Sequence, residues 1–129
     1  MKLEHIALNI ADSQEVKNFY QNVIGMVEVR SYELGKDLAK QFFNINENSS
    51  VYLMQKDDLF LELFVNEKLY KQGFNHICVK VKNREAIVEK AKKYSYQCII
   101  RKREHFDQIF IGDKSGNIFE IKEVDKKIK

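Results

Sequence analysis

Two histidines and two glutamates stand at matched places in this chain. His5 opens the stretch HIALNIADSQEVKNFY and His76 opens HICVKVKNREAIVEKA; Glu62 sits inside FLELF and Glu120 inside IFEIK. Imidazole nitrogens and carboxylate oxygens are both ligands for divalent first-row cations. Two carboxylates offset the charge of such an ion and two neutral imidazoles complete a mixed set that nickel, zinc, cobalt, iron and manganese all accept. Four protein ligands leave one or two positions for water or substrate in a five- or six-coordinate site, which a catalytic metal needs. A lone histidine or glutamate on a strand is ordinarily a hydrogen-bonded or solvated residue. Here the same His–Glu pair recurs at equivalent points of an internal repeat, and His5, Glu62, His76 and Glu120 are therefore the expected metal ligands.

The elements that must carry these residues follow from periodicity. Residues 2–10 alternate, with Ile6, Leu8 and Ile10 on one face and Leu3, His5, Ala7 and Asn9 on the other, the pattern of a half-buried strand. Asp12 caps the next segment, with Glu15 three positions on as in a capping box. Val16, Phe19, Tyr20 and Val23 then form one apolar stripe of a helix, and Gly25 is its stop. Strands are expected near 26–33, 50–56 and 59–65, with a short extra helix marked by Leu38, Phe42 and Ile45. The second half repeats the plan without the extra helix: a strand at 75–82, a cap at Asn83, a helix at 84–94, and strands near 97–103, 107–112 and 117–124. Asp113 to Gly116 make a turn. In all four ligand-bearing strands the neighbours on the other face are apolar, as Leu61 and Leu63 flank Glu62 and Phe119 and Ile121 flank Glu120.

The expected fold class is α+β: two fused βαβββ repeats forming a cupped, roughly eight-stranded mixed sheet with helices on the outer face. It would be a single domain over 1–129, with half-repeats at about 1–66 and 74–124. Each unit covers one sheet face with its helix and leaves the other to curve around a ligand.

Composition narrows the function classes. The net charge of +3 is mild, and the one lysine cluster, Lys126, Lys127 and Lys129, is terminal. No basic stripe with interleaved aromatics points to nucleic acid. No apolar run approaches a membrane span. The N-terminus enters a strand pattern without a signal region, so a cytoplasmic protein is expected, with Cys78 and Cys98 reduced and serving as packing residues.

HIALNIADSQEVKNFYQNVIGM resembles the opening of the vicinal oxygen chelate superfamily, which includes glyoxalase I, methylmalonyl-CoA epimerase, extradiol dioxygenases, fosfomycin-modifying enzymes and bleomycin-resistance proteins. GDKSGNIFEIKEV is similar to that family's ending, where an Asp-x-x-Gly-Asn-x-x-Glu pattern delivers the last ligand. The resemblance runs from residue 2 to 124. It implies a His-Glu-His-Glu set of the glyoxalase I kind; epimerases typically carry Gln where Glu62 stands, and fosfomycin enzymes and dioxygenases use three protein ligands. The implied activity is a metal-dependent lyase or isomerase that moves a proton next to a chelated carbonyl of a small oxo compound or thiol adduct. Glu120 first and Glu62 second would shuttle the proton, and His5 and His76 would hold the ion. Asn9 and Arg30 are the candidate substrate contacts, with Arg30 set to face the cup beside Glu28 or to stand on the outer surface. Asn9 takes the place of the arginine that glutathione-using members tend to carry. His105 lies off both repeat positions. The alternatives are a sequestering, resistance-type binding protein of the same fold, or an epimerase of the methylmalonyl-CoA type. A homodimer is the expected assembly, because small cupped sheets expose edges and apolar surface.

Overall fold

A computed structural model describes residues 2–68 and 73–124. The lysine cluster at the C-terminus lies outside the described residues, as does part of the connection between the repeats. The chain divides into two compact units, Met1–Tyr70 and Lys71–Lys129.

The first unit runs β1 (Ile6–Ile10), a π-helix (Val16–Ile24), β2 (Val27–Leu34), α1 (Lys36–Phe43), β3 (Ser49–Lys56) and β4 (Leu59–Val65). Its sheet has the order β1-β4-β3-β2, with β1 and β4 parallel and the other pairs antiparallel. The second unit runs β5 (Ile77–Val81), α2 (Arg84–Lys93), β6 (Gln97–Arg101), β7 (Gln108–Gly112) and β8 (Ile118–Glu123), in the order β5-β8-β7-β6, with β5 and β8 parallel. The duplication seen in the sequence is thus a duplication of topology. Among the described residues eight strands form two mixed sheets of four, and in each the first strand of the repeat is an edge strand paired in register with the last. That pairing sets each histidine beside its glutamate.

Local chemistry explains the helices. Asp12 accepts the Gln14 N–H at 2.9 Å through its carboxylate and the Glu15 N–H at 3.1 Å through its carbonyl, a turn that starts the first helix. Glu15 itself is buried. Val16, Phe19, Tyr20, Val23 and Ile24 are all buried, so the apolar stripe expected of an α-helix is kept while the winding is wider. Gly25, at φ 85°, ends the helix with its N–H on the Tyr20 carbonyl; a side chain there would be strained. In the second unit Asn83 accepts the Ala86 N–H at 3.2 Å, and Ile87, Val88 and Ala91 are buried. These stripes share their cores with Ile10, Met54, Leu61 and Leu63 in one unit, and with Ile109, Ile111, Phe119 and Ile121 in the other.

One helix stands elsewhere. α1 lies on the face of the first sheet that carries the ligand candidates, with Phe43 edge-on to Phe64 at 5.7 Å between ring centres. It buries Ala39, and the Leu38 and Phe42 side chains that mark it in the sequence are largely exposed. Among the described residues the second unit has no equivalent helix.

Two expectations are corrected. Cys78 is exposed, not packed, because it alternates with Ile77 and Val79 and so shares the face of His76. Cys98 is partly exposed. Neither forms a disulfide.

Candidate metal centre

His5 immediately precedes β1, and Ala7 of that strand lies across from Glu62 of β4. The pairing brings His5 Nε2 to 2.6 Å from Glu62 Oε1. The other oxygen, Oε2, accepts the Tyr32 hydroxyl at 2.6 Å. Both carboxylate oxygens are therefore held. Burial pushes the Tyr32 phenol up to about 12, helped by its hydrogen bond to Glu62 and that carboxylate's charge, and opposed by Arg30. The phenol stays protonated and donating through the neutral range.

The second repeat builds the same pair. His76 precedes β5, Cys78 lies across from Glu120 of β8, and His76 Nε2 is 3.6 Å from Glu120 Oε1. Glu120 Oε2 is 3.5 Å from the Gln108 amide nitrogen. Each imidazole is nearly half exposed, at 44% and 43%, and each carboxylate mostly buried, at 12% and 13%. Two unrelated surface pairs would not match so closely. The lead into β8 is firmly ordered: the buried Asp113 carboxylate accepts N–H bonds from Ser115 and Asn117, both at 2.9 Å, and from the Asn117 amide at 2.8 Å. The Asp-x-x-Gly-Asn stretch is thus a hydrogen-bonded turn that fixes where Glu120 emerges.

The donor sets suit a cation. His76 Nδ1 lies 3.0 Å from the Phe74 carbonyl. A carbonyl only accepts, so the proton belongs on Nδ1 and the Nε2 lone pair points at Glu120. Metal-binding histidines are commonly oriented through such a bond. His76 Nε2 and Glu120 Oε1, 3.6 Å apart, are both donor atoms that one cation can take. An ion about 2.0–2.2 Å from each atom, as for zinc, would set nitrogen and oxygen roughly 3.0–3.4 Å apart at 90–110°. The observed separations of 2.6 and 3.6 Å fall one just below and one just above that range. Among the described residues no three His, Cys, Asp or Glu side chains gather at one point. Each unit presents a pair.

The candidate substrate contacts stand on the two edge strands of the first sheet, Asn9 on β1 and Arg30 on β2. A register shift between Glu28 and Arg30 sets Glu28 across from Met54 and Arg30 across from Leu53, which is itself across from Glu62. Arg30 does not share its row with Glu28, and its guanidinium is 5.9 Å from the Tyr32 ring centre. Asn9 lines a hollow of about 240 Å³ beside the first pair. His105 is well exposed, with the Glu104 carboxylate 4.0 Å from its Nε2. Sequence reasoning missed Tyr32, Gln108 and the Phe74 carbonyl. Tyr32 alone left a signal, because it stands two positions from Arg30 on β2 and so shares its face.

The sequence profile of the Glyoxalase/Bleomycin resistance protein/Dioxygenase superfamily matches residues 2–121, and the chain belongs to that superfamily. No curated protein sequence matches it. Among solved structures, it is similar to the genomically encoded fosfomycin resistance protein FosX of Listeria monocytogenes, at 19% identity and a TM-score of 0.74 over 97% of this chain and 94% of that one. It is also similar to FosX of Mesorhizobium loti, at 19% identity and 0.68 over 94% and 90%. A glyoxalase family protein of Enterococcus faecalis matches at 19% identity and 0.67 over 93% and 95%. At these identities the likeness establishes the shared fold. Structures of the Listeria protein hold Mn(II), one with 1S,2S-dihydroxypropylphosphonic acid and one with sulfate. No helix among the described residues is long and apolar enough to cross a membrane.

Proposed function

We propose that this chain is a metal-dependent lyase or isomerase of the glyoxalase I kind, acting on a small oxo compound or its thiol adduct. The observation that carries the reading is the paired geometry, His5 with Glu62 and His76 with Glu120, at equivalent places of both repeats. In this reading residues 1–129 work as one domain. The four side chains hold one divalent ion, whether contributed by one chain or by the repeats of two subunits of a homodimer. Mn(II) in the Listeria structures supports a divalent ion; nickel, zinc, cobalt and iron suit the same donors.

A bound ion would polarise the substrate's vicinal oxygens and favour negative charge developing on them. The chain's own groups divide the remaining work. His5 and His76 orient their Nε2 atoms toward the carboxylates. Tyr32 restrains Glu62, whose two oxygens are both occupied at 2.6 Å. Glu120 is held more loosely, by contacts of 3.6 and 3.5 Å, and so has the freedom to take a proton from the substrate carbon and return it to the neighbour. Glu62 is the second carrier.

The test is turnover by chelator-stripped protein refilled with nickel, cobalt, zinc or manganese, given methylglyoxal adducts of several thiols. Stoichiometric metal and conversion to the 2-hydroxyacyl thioester are expected. Failure with every metal and thiol removes the assignment. A second reading, addition to fosfomycin, takes its support from the FosX structures; Glu62 as a fourth ligand argues against it. Fosfomycin consumption by the manganese form would favour it. A metal-free protein that binds a planar ligand tightly would favour sequestration.

A further inference from the structure

We propose that the hollow between β1, β4 and α1 receives an apolar substituent of the substrate, so that the protein prefers aryl or branched-alkyl oxo compounds to methyl ones. This rests on the reading above in placing the reacting oxygens at His5 and Glu62.

The hollow holds about 240 Å³. Asn9 and Phe64 form its floor, and Ala39, Phe43 and Ile45 its wall. A cavity of about 150 Å³ accepts benzene, so this one takes a phenyl or branched-alkyl group with a linking carbon. It starts beside the ligand pair. Ala7, which lines it, is the register partner of Glu62. Phe64 is the next residue on the Glu62 face of β4, roughly 7 Å along the strand. A group two or three bonds from a chelated oxygen would reach it. The lining is hydrocarbon apart from Asn9, Glu47, Ser49 and Asn66, the usual character of a small-molecule pocket. Glu47 is already paired with Lys68 at 3.0 Å.

The repeat does not impose this hollow. At the positions equivalent to Asn9 and Phe64, the second unit has Lys80 and Lys122, which lie across from each other. Its own hollow beside Glu120 mixes charged groups, Lys80, Arg84 and Lys122 among them, with the apolar Phe106 and Ile109. α1, which has no counterpart among the described residues of the second unit, adds Ala39 and Phe43 to the apolar lining, and Phe43 at the rim is half exposed. A ligand that covered Phe43 would remove that apolar surface from water.

Benzyl alcohol, which does not chelate, isolates the hollow from the metal chemistry. In the full-length protein it should shift the methyl resonances of Ala7, Ala39 and Ile45 in a saturable way. Ala39→Leu, which fills the hollow, should abolish the shifts; Phe43→Ala, at the exposed rim, should weaken binding several-fold should the first variant fail to fold. With metal bound, mandelate should inhibit or bind at least about tenfold more tightly than lactate, since the two differ by phenyl against methyl. Absent shifts, shifts that persist in both variants, or equal affinity for the two acids would overturn the proposal. Shifts of the same methyls on dilution without ligand would assign the hollow to a contact between copies and overturn it too. Normal seating of benzyl alcohol with no turnover of any adduct would instead sink only the reaction proposed above.

Discussion

Tyr32 donates its hydroxyl to Glu62 Oε2 at 2.6 Å, leaving Oε1 facing His5. The phenol comes from an edge strand two positions away in the sheet from β4, so tertiary pairing alone creates this contact. Groups that orient a metal ligand are typically worth 10–100-fold in affinity or activity. Tyr32→Phe is therefore expected to weaken metal binding about tenfold or more, as measured by competition with a chromogenic chelator. An unchanged affinity would show that Tyr32 does not position Glu62 for a metal.

Glu120 and His76 should fail in different ways. Glu120→Gln keeps an oxygen donor but removes the proton carrier, and kcat should fall by about 10²–10⁴ with most of the metal retained. His76→Ala should lose the metal itself. Metal analysis beside steady-state kinetics separates the two, and equal metal loss in both variants would argue against Glu120 as the base.

Metal removal should also register in stability. A ligand bound only by the native state stabilises by about 2.7 kcal/mol at a hundredfold excess over its Kd. Chelator treatment is thus expected to lower the Tm by several degrees, reversibly on refilling. His5→Ala and His76→Ala should each erase the difference in a thermal scan.

Burial raises the Cys98 thiol above its usual value of 9.0, and Lys92 opposes the rise only in part. The folded state favours the protonated thiol, so this contribution to stability is whole below the unfolded-state value. It is lost as pH climbs through the raised one. At pH 8.5 Cys98 should alkylate more slowly in the native protein than in urea, as followed by mass spectrometry. Equal rates would contradict the shift.

Packing and capping give the scaffold its own tests. Leu63 is fully buried directly after Glu62, and Leu63→Ala should cost about 2–5 kcal/mol in denaturant unfolding. Asn83→Ala removes the cap bond to Ala86 and should cost about 1 kcal/mol. The first should loosen the Glu62 strand as well; the second should leave the two His–Glu pairs intact.

Nearly every element was legible as a pattern. Alternation placed β1, β4, β5 and β8 and gave the face of each ligand candidate, because side-chain direction in a strand depends only on parity. The His–Glu recurrence exposed the duplication, and the Asp113–Gly116 turn and the Asn83 cap were readable because such bonds span a few residues. The same parity rule, applied to Cys78, would have set it on the His76 face; treating cysteine as a packing residue obscured that.

Distances were a different matter. That β1 pairs with β4 in the register Ala7–Glu62, and β5 with β8 in the register Cys78–Glu120, follows from how helix and sheet pack, over separations no local pattern spans. So do the Tyr32 bond, the slip between Glu28 and Arg30, and the seating of α1 on the ligand face. Residue order alone dictates which groups point the same way, since that is a property of backbone geometry. Which of them touch is settled by long-range packing, where one slipped register exchanges every neighbour.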